Sequence, residues 1–200
     1  ERDAQLADLL ARKAATAIES SYDTLSGLLT RAALEQRVRL AFADESQRSR
    51  TTSLLYIDVD QLHVLNENLG MHIGDKAIAQ IGELVRRRLP PSAIAARISG
   101  DRFAILLPGA LEEAQAFADS LREGATKLVP AGDDARFAIS ISVGIAPFTY
   151  RDRDISRPLA EAESACKAAK DRGRNRVELF QDADVSIVRR FTDINVATDV

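Results

Sequence analysis

Two short apolar segments separated by a small polar turn constrain this chain more than any other feature. Residues 93–98 and 103–107 are mostly apolar, and the residues between them are small or polar. This pattern predicts an antiparallel hairpin with a tight turn. Gly100 can adopt a positive φ and lets a ligand approach the backbone closely. Asp101 would then project a carboxylate from the turn, which by itself is also compatible with an ordinary surface turn.

A second predicted strand also ends in a carboxylate. Residues 53–59 are almost continuously apolar, which is typical of a strand in the centre of a sheet, and Asp58 lies near their end. If both strands belong to one sheet, Asp58 and Asp101 can meet at the end of that sheet. Two hard oxygen ligands in one place suit Mg²⁺ bound together with a nucleotide phosphate.

The pattern of apolar residues further predicts an amphipathic helix over residues 76–89 and a strand over residues 137–145. The order of the predicted strands and helices indicates an α+β fold, with an antiparallel-rich central sheet covered by helices. Four stretches of the chain also resemble, in order and spacing, the motifs of the GGDEF domains of bacterial cyclic-di-GMP signalling. They are residues 23–31, residues 58–75, the hairpin Ser99-Gly100-Asp101-Arg102-Phe103 and residues 170–176. The resemblance covers residues 23–180 and implies a ferredoxin-like fold of the polymerase-palm type.

Two flanking segments complete the predicted organisation. Residues 1–22 form a helix with an apolar stripe, which either packs on its own domain or pairs with a twin as a linker that carries a signal. Residues 181–200 form a partial C-terminal linker helix. The resemblance implies a longer multidomain protein with a sensor domain upstream, an EAL phosphodiesterase domain downstream, and a homodimer through the flanking helices.

The resemblance also implies a metal site and a base site. Asp58, Asp101 and the backbone carbonyl of Val59 would hold Mg²⁺, and Asn66 and Asp75 would bind the guanine base of GTP. A carboxylate accepts hydrogen bonds from the guanine N1–H and exocyclic amine, and an amide side chain both donates and accepts. Taken without the family, the sequence favours a helix-terminal amide at Asn66 and a charge at a helix N-terminus at Asp75.

The remaining nucleotide-binding residues implied by the resemblance are Lys170, Arg174, Ser99, Gly100 and His63. Lys170 and Arg174 would hold the triphosphate, since ammonium and guanidinium groups are both good phosphate partners. A solvated basic helix end would show the same pattern. His63 replaces a lysine that reaches phosphate in the family, and it has no second His or Cys at the spacing of a metal site.

Arg102 departs from the family pattern at a catalytic position, because the family carries an acidic residue there beside the acid corresponding to Asp101. Arginine does not deprotonate in proteins and cannot act as a base. The change also alters the local charge by two units next to the expected metal site, which weakens the binding of Mg²⁺. Metal-dependent cyclisation of two GTP molecules is therefore expected to be badly impaired, whereas nucleotide binding need not be.

Three functions are compatible with these residues. The first is a degenerate GGDEF domain that binds GTP and regulates an attached output domain. The second is an active diguanylate cyclase that tolerates Arg102 and converts two GTP molecules to cyclic-di-GMP. The third is a dimerisation or linker module that does not bind nucleotide.

Composition limits the partners and the compartment. The net charge of -3 gives no electrostatic case for nucleic acid. The single cysteine, Cys166, excludes an internal disulfide and fits a reducing cytoplasm; it is expected to pack within a helix, with a reactive thiol as the alternative. No apolar run approaches the roughly 18 residues needed to span a membrane, so we expect a cytoplasmic domain without a membrane segment.

Overall fold

The structure, a computed structural model, describes residues 21–43, 51–130, 138–149, 152 and 154–181. The predicted helix within residues 1–22 and the predicted partial helix within residues 181–200 lie almost wholly outside these residues. The boundaries of the flanking segments and their pairing in a dimer therefore stay predictions.

Six strands and five helices make up the described part of the chain. The strands are β1 (Leu29–Thr30), β2 (Thr52–Val59), β3 (Ile94–Ser99), β4 (Arg102–Pro108), β5 (Ile141–Phe148) and β6 (Val177–Leu179). The helices are α1 (Arg31–Ala43), α2 (Leu62–Leu69), α3 (Met71–Arg88), α4 (Leu111–Ala125) and α5 (Ser156–Asp171). None of the helices described is both long and apolar enough to cross a membrane.

The strands form one sheet in the order β1-β3-β4-β2-β5-β6. Strand β2 lies in the middle, where it pairs antiparallel with β4 and β5, and all 8 of its residues are buried. The pairs at the two edges, β1 with β3 and β5 with β6, are parallel. The predicted α+β fold with an antiparallel-rich sheet covered by helices is confirmed, and residues 53–59 form the central strand as expected.

Side-chain alternation along β2 divides the core into two layers. Leu55, Ile57 and Val59 pack in one layer with the buried residues of α3 and α4. Leu54 and Tyr56 point the other way, into the layer that contains residues of α1 and α5. By the same alternation, the Asp58 side chain lies on the face covered by α5. The fold therefore places a carboxylate at the end of its central strand, next to the last helix.

Helix α5 lies close to the sheet because β5 has a glycine at position 144. A Cβ atom there would lie 2.0 Å from the carbonyl oxygen of Ala162 and 2.3 Å from the backbone nitrogen of Cys166, both on α5. These atoms belong to helix backbone, which cannot move aside without shifting the whole helix. The missing side chain thus sets the distance between α5 and the strands beneath it.

The turn that precedes β1 is linked to the predicted hairpin through Arg97. Asp23 Oδ1 accepts hydrogen bonds from the backbone N–H and the hydroxyl of Ser26, at 2.8 and 2.7 Å. The Nη1 group of Arg97 donates to both carboxylate oxygens of Asp23, at 3.1 and 3.2 Å, and its Nε donates to the carbonyl of Gly100 at 2.8 Å. Burial raises the pKa of Asp23, but the hydrogen bonds from Ser26 and Arg97 outweigh it and bring the pKa below its ordinary value.

The boundaries of two elements differ from the sequence prediction. The helix expected over residues 76–89 begins at Met71, because Gly70 (φ 92) ends α2 directly before it and Gly74 is tolerated inside the new helix. The strand expected over residues 137–145 runs from Ile141 to Phe148. The hairpin itself is formed as predicted, with Gly100 (φ 45) and Asp101 in the turn between β3 and β4.

Candidate nucleotide-binding site

The ends of β2 and β4 bring Asp58, Asp101 and Arg102 to one corner of the sheet. In the antiparallel register Asp58 pairs with Arg102, so the two side chains share a face. The backbone N–H of Val59 donates to the carbonyl of Asp101 at 3.1 Å, which fixes the turn against the end of the central strand. The expectation that Asp58 and Asp101 lie close together is therefore met.

Two positively charged side chains, Lys170 and Arg102, lie at this corner together with the carboxylates. Lys170 Nζ lies 2.6 Å from Asp58 Oδ1, which is an ion pair between a half-buried ammonium and a carboxylate only 6% exposed. Arg102 Nε lies 3.8 Å from Asp58 Oδ2 and 3.9 Å from Asp101 Oδ1. One guanidinium thus approaches both of the carboxylates that the resemblance assigns to metal.

The electrostatics of Asp58 follow from this arrangement. Burial raises the pKa of Asp58, and the nearby negative charge of Asp101 acts in the same direction. The close ion pair with Lys170 and the positive charge of Arg102 oppose that rise of the pKa without cancelling it. The carboxylate is therefore costly to bury, and its charge is balanced by the two neighbouring side chains.

A cavity of about 370 Å³ opens from the corner along α5. Its lining includes Tyr56, Glu163 and Cys166. The Tyr56 hydroxyl donates to Glu163 Oε1 at 3.1 Å, and burial followed by the charge of Glu163 raises the pKa of Tyr56, so the phenol stays neutral. Glu163 also lies 3.7 Å from Arg102 Nη1. Burial raises the pKa of the Cys166 thiol to about 12, which agrees with the expected packed cysteine rather than a reactive one.

The residues predicted to bind the base lie on α2 and α3. The side-chain oxygen of Asn66 is buried and has no hydrogen-bond donor among the described residues. A Cβ atom at position 74 would lie 1.9 Å from that oxygen, so the Asn66 amide packs directly on Gly74. Asp75 follows Gly74 and is exposed, as is His63 on α2. The structure therefore places Asn66 beside the backbone that carries Asp75, and it leaves the Asp75 carboxylate open to solvent.

The predicted phosphate-binding residues lie at the end of α5. Lys170 is in the last turn of the helix, and Arg174 lies in the loop that leads to β6 with a positive φ of 63°. Arg174 is exposed and forms no ion pair within the part of the chain that the structure describes.

Ser99 and Gly100 are exposed at the tip of the hairpin, and no atom would lie within 4 Å of a Cβ at position 100.

Two carboxylates of this region were not singled out from the sequence. Asp60, only 8% exposed, accepts hydrogen bonds from the hydroxyls of Ser142 at 2.7 Å and Ser140 at 2.8 Å, and from the backbone N–H of Asn175 at 3.1 Å. Glu163 contacts Arg102 as described above. A usable signal for Asp60 was its position two residues after Asp58, which places two carboxylates on the same side of one strand end.

The donor set of the corner fits a divalent cation poorly as it stands. Asp58 is already paired with Lys170, and the Arg102 guanidinium faces both Asp58 and Asp101. Within the described ranges no group of three or more His, Cys, Asp or Glu side chains is arranged to hold a metal ion. The three positions expected to bind Mg²⁺ (Asp58, Val59 and Asp101) are thus close together, but the charges around them are already balanced.

Comparison with known proteins identifies the type of domain. The sequence profile of the family described as "Diguanylate cyclase, GGDEF domain" matches residues 20–176. Diguanylate cyclase TpbB of Pseudomonas aeruginosa is 28% identical over 200 residues, which cover 99% of this chain and 46% of that protein. The probable diguanylate cyclase DgcC of Escherichia coli is 31% identical over 165 residues, covering 81% of this chain and 44% of that protein.

A solved structure shows the same fold. The coiled coil and GGDEF domain of DgcB from Caulobacter crescentus, in complex with c-di-GMP, superposes with a TM-score of 0.80 at 24% identity. The alignment covers 89% of this chain and 95% of that chain. Because the chain spans less than half the length of the two curated relatives, the activity of a complete protein is not carried over with the fold.

Proposed function

The chain belongs to the diguanylate cyclase GGDEF domain family, and we propose that it is a degenerate member that binds GTP and regulates an attached output domain. In this proposal the cyclisation of two GTP molecules to cyclic-di-GMP is impaired. The observation that carries it is the position of Arg102, whose Nε lies 3.8 Å from Asp58 and 3.9 Å from Asp101. A fixed cation at that place competes with any divalent ion for the same two carboxylates.

The residues expected to bind the guanine base support the proposed binding of GTP. The buried side-chain oxygen of Asn66 has no hydrogen-bond donor among the described residues, and an acceptor in that state is costly to leave unsatisfied. Guanine offers N–H donors along its Watson–Crick edge, and the exposed Asp75 carboxylate could accept from the same edge. The packing of Asn66 on Gly74 places the amide against the residue that precedes Asp75.

The residues expected to bind the triphosphate also support the proposed binding of GTP. The exposed guanidinium of Arg174 lacks an ion-pair partner within the described residues, while Lys170 lies directly beside the acidic corner. An unpaired arginine next to a paired lysine is suited to a polyphosphate that approaches from solvent. Arg102, about half exposed, can contribute a third cation where the family uses a metal ion.

In the family, Mg²⁺ would supply charge stabilisation for the transferred phosphoryl group. Here the side chains of Lys170 and Arg102 already lie at the acidic corner, so the proposed function involves no reaction step at a metal ion. We further propose a homodimer through the flanking helices, a sensor domain upstream and an EAL-type phosphodiesterase domain downstream. These three proposals rest on the family alone, because residues 1–20 and 182–200 are not described.

A GTP titration tests the proposal. Calorimetry of the wild-type domain with GTP, with and without Mg²⁺, is expected to give binding that changes less than threefold between the two conditions. The Asp75→Ala variant is the control and should lose most of the affinity for GTP while keeping the fold. Absence of GTP binding in the wild type would overturn the proposal, and so would steady production of cyclic-di-GMP from GTP and Mg²⁺.

One observation favours a second candidate, an active diguanylate cyclase. Asp58 and Asp101 are both present and are held at one corner by the hydrogen bond from the Val59 N–H to the Asp101 carbonyl. If these two carboxylates suffice for metal, turnover with GTP and Mg²⁺ should be measurable in the wild type. The Arg102→Glu variant separates the two candidates. A large gain in turnover would show that Arg102 is the cause of impaired cyclisation, and no gain would argue against that role of Arg102.

A further inference from the structure

The loop between α5 and β6 has an unusual backbone. Arg174 (φ 63) and Asn175 (φ 46) are consecutive non-glycine residues in the left-handed region, which is uncommon for side-chain-bearing residues. Part of the support comes from the helix end, where the N–H of Arg174 donates to the carbonyl of Ala169 at 3.0 Å. Strained conformations of this kind persist only where the surroundings hold them.

The next anchor of this loop is the carboxylate of Asp60. The N–H of Asn175 donates to Asp60 Oδ2 at 3.1 Å, and the hydroxyls of Ser140 and Ser142 donate to the same carboxylate. The backbone N–H of Asp60 donates to the carbonyl of Ser140 at 2.9 Å, so the residue is also fixed to the segment that leads into β5. A nearly buried carboxylate with three donors is well satisfied, and the one from Asn175 is its link to the loop.

The loop is therefore held at both ends by the same strand end. Lys170 is paired with Asp58, and Asn175 is hydrogen-bonded to Asp60, two residues further along. Arg174 lies between these two anchors.

The other arginines of the loop are already engaged. Arg172 and Arg176 both contact Glu178, at 2.5 and 3.7 Å. Within the described residues Arg174 is thus the guanidinium of this loop that is left for a ligand.

We propose that Asp60 is a positioning residue for polyphosphate: its carboxylate holds the left-handed backbone at Asn175 and so presents Arg174 to the phosphates of the nucleotide. This inference rests on the proposed binding of GTP. Asp60 itself is buried among its hydrogen-bond donors and acts through the loop rather than on the ligand.

The test compares the wild-type domain with Asp60→Asn, in which an NH₂ group replaces one carboxylate oxygen and the negative charge is lost. Hydrogen exchange of the Asn175 amide, followed by NMR, is expected to become at least tenfold faster in the variant. The affinity for GTP and for inorganic triphosphate should fall about tenfold, and the affinity for guanosine should stay within twofold. In the Arg174→Ala background, Asp60→Asn should cause no further loss of triphosphate affinity.

A matched control is Ser142→Ala, which removes a donor to the same carboxylate without touching the loop and should leave Asn175 protected. If Asp60→Asn does not fold, the double variant Ser140→Ala/Ser142→Ala loosens the carboxylate and should give the same pattern at smaller amplitude. An equal loss for guanosine and GTP, or unchanged exchange at Asn175, would overturn the inference.

Failure of the underlying function is distinguishable from failure of the inference. Wild-type binding of triphosphate without GTP would reject the proposed GTP site and leave the role of Asp60 to be decided by the variant. Absence of binding to both GTP and triphosphate in the wild type would reject both.

Discussion

Replacing Arg102 with glutamate should restore metal binding to the acidic corner. In the wild type, the negative charges of Asp58 and Asp101 are balanced by Arg102 and Lys170, which lie within 4 Å of one or both carboxylates. The Arg102→Glu substitution shifts the charge of the corner by two units. The corner then resembles an ordinary carboxylate site for a divalent cation.

The size of the effect follows from Coulomb's law. Two unit charges about 4 Å apart interact by roughly 1 kcal/mol in water, so a two-unit change acting on a dication amounts to about 4 kcal/mol. The aqueous value is appropriate because the Arg102 side chain is 47% exposed, and salt screens it further. Since each 1.4 kcal/mol is a factor of ten, we expect Mg²⁺ to bind roughly ten to a thousand times more tightly.

The assay is a titration of Mg²⁺ into the GTP-saturated domain, followed by calorimetry. Three proteins form a series, because Arg102→Gln removes one charge and should fall between the wild type and Arg102→Glu. Arg87→Glu is the matched control: it makes the same change in net charge at an exposed arginine paired with Glu83 on α3. An Arg102→Glu variant that binds Mg²⁺ no more tightly than the wild type would contradict the prediction, and so would an equal gain in Mg²⁺ affinity in Arg87→Glu.

Three further predictions follow from local geometry. Gly144→Ala should lower the free energy of unfolding in urea by about 1–3 kcal/mol, because its Cβ would overlap the backbone of α5; an unchanged free energy of unfolding would contradict this. Gly74→Ala should displace the amide of Asn66 and weaken GTP binding more than it weakens the fold; equal GTP affinity by calorimetry would contradict this. Because the pKa of Asp23 is below its ordinary value in the folded protein, its contribution to stability is present above about pH 4 and is lost as the pH falls through the folded pKa. The difference in urea stability between the wild type and Asp23→Asn should therefore be constant from pH 7 to 5 and shrink below pH 4.

Much of the fold was accessible from sequence patterns because these patterns are local. The apolar run at residues 53–59 predicted the central strand, and the polar turn around Gly100 predicted the hairpin. In both cases the residues that determine the structure are neighbours in the sequence. The helix expected from residue 76 begins five residues earlier, at Met71, and includes Gly74. In the structure the glycine is needed for contact with Asn66, a residue on another helix.

The site was predictable only in part, for a related reason. The meeting of Asp58 and Asp101 followed from the assumption that their strands share a sheet, and the register confirms it. The contacts of Asp60 join residues far apart in the chain, such as Ser142 and Asn175, and no local sequence pattern predicts these contacts. Whether the residues near this corner act on nucleotide stays a prediction.

The pairing of Asp58 with Lys170 and the approach of Arg102 have a consequence for how the domain responds to its solution. A counter-ion that is part of the polypeptide cannot be removed by a chelator or diluted away. The two carboxylates therefore do not depend on free magnesium to relieve their mutual repulsion. The folded corner should be equally stable in EDTA and in millimolar Mg²⁺, so a change in cellular magnesium would leave its shape as it is.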